Sequence, residues 1–359
     1  MVNAGIYIHI PHCNNGCQLC EFQYYQKTYS INSIINSIIK EVKQSNTDVS
    51  KWNFKTIYIG GCSPNSIGLE DIKALIDNLN KKFNLNNIKE FSISIDPSQY
   101  SYDKLKYYYE LGINRISVNG HSFNNKLLKS LGLQYNFSTI SDMIFDLRSI
   151  GFNNINVDLL YNIPGQKISD WSLDIEYCIK HEIDHLSLYR YSSATNQDNL
   201  DNSFWLKHSD QLLSLNNYNH YEIHSFTKNE KEHIHNLSYW DFNPYIAFGP
   251  SSHSFDGINR WNNHNQIANY MGNIEKGLST IEKYEENCEK ELFNQRIAIG
   301  LQKSEGIAIP NVNLKNTFIK NLSMTKKKWD GLLILEKNNL RLSNNGFKYI
   351  DQITKDIVL

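Results

Sequence analysis

The sequence is short of cysteine, proline and net charge. It has six cysteines, seven prolines and four methionines in 359 residues. Six cysteines are too few to staple a chain of this length, which excludes a disulfide scaffold. Lys+Arg (36) and Asp+Glu (37) balance to a formal charge of −1. No global basic field exists to hold nucleic acid or an anionic membrane surface. Mean hydropathy is −0.49, and no apolar run approaches the roughly 20 residues a membrane helix needs. An integral membrane segment is therefore not expected. Residues 1–10 have neither a basic start nor a long apolar stretch, so they predict a strand rather than a secretory signal, and a cytoplasmic protein.

Hydrophobic residues make up 40% and aromatics 12%, enough for a packed core and too much for a disordered chain. The length suits two domains, or one large domain with an appendage. Short apolar runs alternate with amphipathic helices over the first two-thirds. Strands are predicted at Ile6–Ile10, Thr56–Ile59, Phe91–Ile95, Arg115–Val118, Ile155–Leu160 and His185–Tyr189. Between them, Ile31, Ile34, Ile35, Ile38, Ile39 and Val42 share one helical face behind Ser30, a candidate N-cap. Leu69, Ile72, Leu75, Ile76, Leu79 and Phe83 mark a second helix, and a Tyr-rich third stops at Gly112. Ile140, Met143, Ile144, Leu147 and Ile150 mark another, stopped by Gly151, and one more lies around Trp171–Ile179. Such alternation implies parallel strands with right-handed crossovers. Six repeats suit an α/β fold of the incomplete (β/α)6 type, with ligands at the C-terminal strand ends. A doubly wound sheet fits the same pattern, because sequence does not reveal strand order.

Residues 196–246 are rich in Asn, Asp and His and predict extended segments and loops, with a strand at Tyr221–Phe226. After about 286 the pattern changes to a small helical and winged module. Leu292–Leu301 is expected as helical and Asn321–Leu335 as a helix or turn-helix, then a wing near Leu340–Leu342 and a final helix after Gly346. The expected domains are thus a barrel with its extension at 1–255, a linker at 256–285 and a C-terminal module at 286–359. Lys326-Lys327-Lys328 is a short basic run, expected to be a solvated helix end rather than a nucleic-acid contact.

Three cysteines crowd into eight positions directly after the first strand: Cys13, Cys17 and Cys20. Three thiolates can hold three irons of a [4Fe–4S] cluster and leave the fourth open for a chelating small molecule. A zinc site closed by His12 or His9 is the alternative that spacing leaves open.

The surrounding residues carry more. Tyr7-Ile8-His9-Ile10-Pro11-His12-Cys13 resembles the first strand of the radical S-adenosylmethionine (SAM) proteins related to oxygen-independent coproporphyrinogen III oxidase. Ile57-Tyr58-Ile59-Gly60-Gly61-Cys62-Ser63-Pro64 resembles that family's glycine-rich turn. Further matches follow in order. They include Ile95-Asp96-Pro97, Asn156-Val157-Asp158, Pro164-Gly165-Gln166, Phe248-Gly249-Pro250, His253-Ser254-Phe255 and Arg260-Trp261-Asn262. His235-Asn236 followed by Tyr239-Trp240 resembles a signature of the heme-chaperone (HemW-like) branch. The chain also begins only six residues before the first motif, without the N-terminal extension of the oxidase branch. Both features favour the chaperone branch, with the protein as a divergent member.

The resemblance implies a [4Fe–4S] cluster on Cys13, Cys17 and Cys20. It implies SAM near Tyr7, Leu19, Gly60, Gly61, Cys62, Ser63, Ser94, His121, Asp158 and Ser192. It also implies heme or another small substrate near His235, Asn236, Tyr239, Trp240 and His253. An electron donor for the cluster and a heme-acceptor protein are the implied partners. Several positions depart from the family. Leu19 replaces an aromatic, Cys62 and Ser63 replace Gly and Thr, Ser94 replaces Glu, His121 replaces Gln and Leu133 replaces Arg. These changes bear on SAM. They leave room for a radical SAM tailoring enzyme on another substrate, by hydrogen abstraction or methyl transfer, or for a metal-binding protein without SAM chemistry.

Overall fold

Alternate residues of the central strands have opposite character, and this decides how the sheet curls. Ile6, Ile8 and Ile10 on the first strand are fully buried, as are Ile93 and Ile95 on the third. The residues that alternate with them are Gly5, Tyr7 and His9 on the one, and Glu90, Ser92 and Ser94 on the other. One face is therefore aliphatic and must be covered by helices, while the other lines a polar interior. The computed structural model describes residues 1–12, 29–191, 203–325 and 327–359.

In chain order the elements begin β1 (Val2–Ile10), α1 (Ile31–Gln44), β2 (Trp52–Gly61), α2 (Leu69–Lys82), β3 (Glu90–Ile95) and α3 (Tyr102–Glu110). They continue with β4 (Arg115–His121), α4 (Asn125–Ser130), α5 (Phe137–Ile150), β5 (Ile155–Tyr161), α6 (Ile168–Lys180) and β6 (His185–Arg190). Strands β1 to β6 pair side by side in sequence order, each parallel to the last. This is the incomplete (β/α)6 pattern expected. Ser30 caps α1 by accepting the Ser33 N–H at 3.2 Å. Gly151 ends α5 in the left-handed conformation, φ 117°.

The next stretch departs from expectation. It contains α7 (Ser203–Ser214), β7 (Asn219–Glu222), β8 (Ser225–Thr227), α8 (Ile234–Trp240) and β9 (Tyr245–Phe248). The expected strand at Tyr221–Phe226 is instead a hairpin of β7 and β8, with β8 antiparallel to β6. Its turn is pinned from outside, because the Ile223 N–H donates to the Gln302 carbonyl at 2.9 Å. Strand β9 adds parallel to the other edge, beside β1.

Residues 256–285, expected as a linker, are structured. After β10 (His253–Phe255) come β11 (Arg260–Asn263), α9 (Ile267–Glu275) and β12 (Ile281–Glu285). The strands extend the sheet to twelve, in the order β12-β11-β10-β9-β1-β2-β3-β4-β5-β6-β8-β7. Ile267, Tyr270 and Ile274 of α9 are buried in the same core as α1. Burying them stabilises the segment in a way that the polar stretch around it does not announce.

The remainder is α10 (Glu289–Gly300), β13 (Ile307–Ala308), α11 (Lys315–Thr325), β14 (Leu333–Glu336), β15 (Asn339–Leu342) and α12 (Ile350–Ile357). It has its own core around Phe293, Ile297, Phe318, Leu340 and Ile353. Of the helix or turn-helix expected over Asn321–Leu335, the helical part is the end of α11, which stops at Thr325. Gly331 turns the chain with φ 72°, and Leu333 returns as a strand against Leu342. Of the basic run, Lys326 lies outside the described residues and Lys328 pairs with Asp356 at 2.6 Å.

Candidate functional site: a polar barrel interior and an aromatic cavity

The concave face is built in layers by register. Ser92 lies beside Arg115, Ser94 beside Ser117, Ser117 beside Asn156 and Asp158 beside Ser187. The deepest layer holds charge. Arg115 and Glu90 are both almost fully buried, with Nε and Oε2 3.9 Å apart. Among the described residues, no partner meets the Arg115 nitrogens with hydrogen-bond geometry. The Glu90 carboxylate does more. It accepts the backbone N–H groups of Ile234 and His235, each at 2.9 Å, at the start of α8. His233 Nε2 lies 3.4 Å from its other side. Burial raises the Glu90 pKa, and Arg115 with the two backbone donors opposes that rise.

Helix α8 thus hangs over the barrel interior from Glu90. His235 is fully buried, with Nδ1 2.7 Å from the Thr56 hydroxyl and Nε2 2.7 Å from the Tyr239 hydroxyl. Desolvation, with Arg115 nearby, pushes its pKa down to about 3. A neutral imidazole with both nitrogens engaged is a strut. Gly5 makes room for it, since a Cβ there would stand 2.9 Å from Thr56 Oγ1 and 3.0 Å from His235 Cε1. Asn236, next in the chain, is half-buried.

The residues expected at SAM divide into groups. Cys13, Cys17, Leu19, Cys20 and Ser192 lie outside the described residues. Tyr7, Ser94 and Asp158 stand on the concave face. The Tyr7 hydroxyl is 2.9 Å from His9 Nδ1, and the Ser94 hydroxyl is 2.7 Å from that of Tyr58. Asp158 accepts from Asn156 Nδ2 at 2.8 Å and from Ser117 Oγ at 3.2 Å. Burial raises its pKa, and the Asn156 bond and Arg115 oppose this. Gly60, Gly61, Cys62 and His121 sit at the C-terminal ends of β2 and β4. A Cβ on Gly61, where φ is 123°, would lie 2.3 Å from the Ile10 carbonyl oxygen. That glycine lets β1 and β2 close together. Ser63 is buried and donates to Asp96 at 2.9 Å, so it braces the turn.

His121 is strained and half-buried. Its φ is 61°, its Nδ1 has no hydrogen-bond partner among the described residues, and desolvation lowers its pKa to about 4. An orphaned nitrogen at the strand ends fits a ligand bearing polar groups.

Beside these groups lies a cavity of about 660 Å³, within the roughly 300–1,000 Å³ typical of small-molecule sites. Tyr7, His9 and Tyr58 form its barrel side, with Tyr239 and Trp240 from α8. Phe242, Tyr245, His253, Phe255 and Arg260 form the sheet side, and Ile299 of α10 closes it from the C-terminal module. Arg260 stacks on Phe255, its guanidinium 4.3 Å from the ring centroid. It donates to Tyr245 Oη at 3.1 Å and to Gln295 Oε1 of α10 at 3.0 Å. The expected heme group is therefore split. Tyr239, Trp240 and His253 line the cavity, while His235 stands behind it.

Sequence reasoning assigned no site role to Glu90, Arg115, Tyr245 or Arg260. Strict polar alternation in β3 and β4 was the available signal for the first two.

A parallel six-strand half-barrel with a polar concave face and a cysteine trio after its first strand defines a radical SAM fold. A sequence profile described as the Radical SAM superfamily matches residues 7–178. The heme chaperone HemW of Buchnera aphidicola subsp. Schizaphis graminum is 31% identical over 261 residues, 69% of each chain. That of Bacillus subtilis is 28% identical over 84% of each. Coproporphyrinogen III oxidase (HemN) from Escherichia coli, a solved radical SAM enzyme, shares the fold with a TM-score of 0.83. It is 16% identical, covering 99% of this chain and 90% of its own. The chain belongs to the HemW-like family of radical SAM proteins. That membership implies a [4Fe–4S] cluster and SAM, which supply one-electron chemistry when bound. No helix among the described residues is long and apolar enough to cross a membrane.

Proposed function

We propose that this chain is a cytoplasmic heme chaperone that carries its cargo in the aromatic cavity and hands it to an acceptor protein. The cluster would sit on Cys13, Cys17 and Cys20, and take electrons from a separate donor. SAM would lie across the strand ends, near Gly60, Gly61, Cys62, His121, Asp158 and Ser192. The observation that carries the reading is the cavity itself. A porphyrin is a large flat apolar ring edged by carboxylates, with an iron that takes a His, Tyr, Cys or Met ligand. The cavity offers four tyrosines, a tryptophan and two phenylalanines for the ring, and Arg260 for negative charge. The C-terminal module, reaching the cavity through Ile299 and Gln295, acts as a lid and partner-docking element rather than a DNA-binding wing.

A radical SAM tailoring reaction is the second reading, supported by His121, a half-buried imidazole whose Nδ1 has no hydrogen-bond partner among the described residues. Hemin titration of anaerobically reconstituted protein, with electron paramagnetic resonance of the reduced cluster with and without SAM, separates the readings. The chaperone reading expects stoichiometric hemin binding, and a cluster signal that Cys17→Ala abolishes along with the iron. Absence of hemin binding, or product formation tied to 5′-deoxyadenosine, overturns it.

A further inference from the structure

We infer that His253 supplies the axial ligand to the heme iron, and that the motif histidine His235 acts only by positioning Tyr239. This deepens the chaperone reading and rests on it. The walls of the cavity narrow the choice of ligand. The hydroxyls of Tyr7, Tyr58, Tyr239 and Tyr245 are bonded to His9, Ser94, His235 and Arg260 respectively. Taking any of them for iron would break a buried hydrogen bond, which costs about 1–3 kcal/mol in desolvated surroundings.

Two imidazoles line the cavity, His9 and His253. His9 is set into the barrel wall, with Nδ1 held by Tyr7 and Nε2, the nitrogen that would face an iron, buried away from the open cavity. His253 is exposed, and among the described residues no hydrogen bond engages its ring. Its backbone is held by pairing of β10 with β11, where His253 lies opposite Asn262 and Phe255 opposite Arg260. The alternation of β10 puts His253 on the same face as Phe255, the residue on which Arg260 stacks. An iron ligand and a cation for the carboxylate edge are thereby presented on one rigid two-stranded ribbon. His235 cannot compete, because it is fully buried behind Tyr239 with both ring nitrogens bonded.

The test is hemin titration of the full chain, followed by Soret and paramagnetic resonance spectra, on the wild type, His253→Ala and His235→Ala. For His253→Ala we expect a Soret shift and at least a tenfold loss of hemin affinity. Cluster iron and circular dichroism should stay unchanged, and added imidazole should restore the wild-type spectrum. For His235→Ala we expect weaker binding that imidazole does not rescue and that His235→Gln partly restores. If the wild type binds hemin and His253→Ala leaves affinity and spectrum unchanged, the ligand assignment fails and the chaperone reading stands. If the wild type does not bind hemin, both fall.

Discussion

Glu90 on β3 accepts the backbone N–H of His235 at 2.9 Å, joining residues 145 positions apart. That single carboxylate ties the barrel's buried charge to the helix that furnishes Tyr239 and Trp240. Arg115 lies on its other flank, so the carboxylate serves as counter-ion and as helix anchor at once.

Removing its charge should be severe. Glu90→Gln removes the carboxylate paired with buried Arg115 and leaves Asp158 as the acid that still acts on it; breaking a buried pair costs up to about 3–5 kcal/mol. The double variant Glu90→Gln/Arg115→Met should be more stable than Glu90→Gln alone. Urea denaturation of the four proteins of the cycle measures the coupling. Additive effects would mean that the two side chains are not energetically paired.

Gly5→Ala tests the strut. The new methyl would press on Thr56 Oγ1 and His235 Cε1. It should break the Thr56–His235 bond, lower stability by about 1–3 kcal/mol, and change the Trp240 emission as α8 shifts. An unchanged melting temperature and emission spectrum would show that the contact relaxes at no cost.

Glu41 of α1 sets a pH dependence on the opposite face of the sheet. It is buried, and accepts from Tyr270 at 2.6 Å, the Gly249 N–H at 2.8 Å, Asn263 and Thr280. Burial outweighs these bonds and pushes its pKa up from 4.5 to about 7. The native state therefore holds the proton more tightly than the unfolded chain. This group's contribution is fully present below pH 4.5 and is lost as pH rises through 7. Over that interval the wild type should lose about 3 kcal/mol relative to Glu41→Gln. Denaturation curves at several pH values give the difference, and parallel pH profiles would contradict it.

The legible parts of this protein were the local ones. Aliphatic repeats such as Ile31–Val42 and Ile6–Ile10 marked α1 and β1, because periodicity follows from burying one face of an element. Capping at Ser30 and termination at Gly151 are decided within a few residues. The motif segments His235–Trp240 and His253–Phe255 also stood out from the chain. Residues 256–285, expected as a linker, form strands and a helix, because Ile267, Tyr270 and Ile274 bury α9 in the core, and their burial depends on α1 being next to them. The hairpin at 219–227 likewise depends on contact with Gln302.

By itself, the sequence determined which segments become strands and helices, that they repeat as β/α units, and which family the chain joins. Tertiary structure alone decided the surroundings of the histidines. Sequence placed His235 and His253 on equal terms, since both belong to motifs. Folding put the first behind Tyr239 with both nitrogens bonded, and left the second exposed at the cavity. The physical reason is that a side chain's chemistry depends on which partners and how much water surround it. Those are supplied by strands and helices far away in the chain.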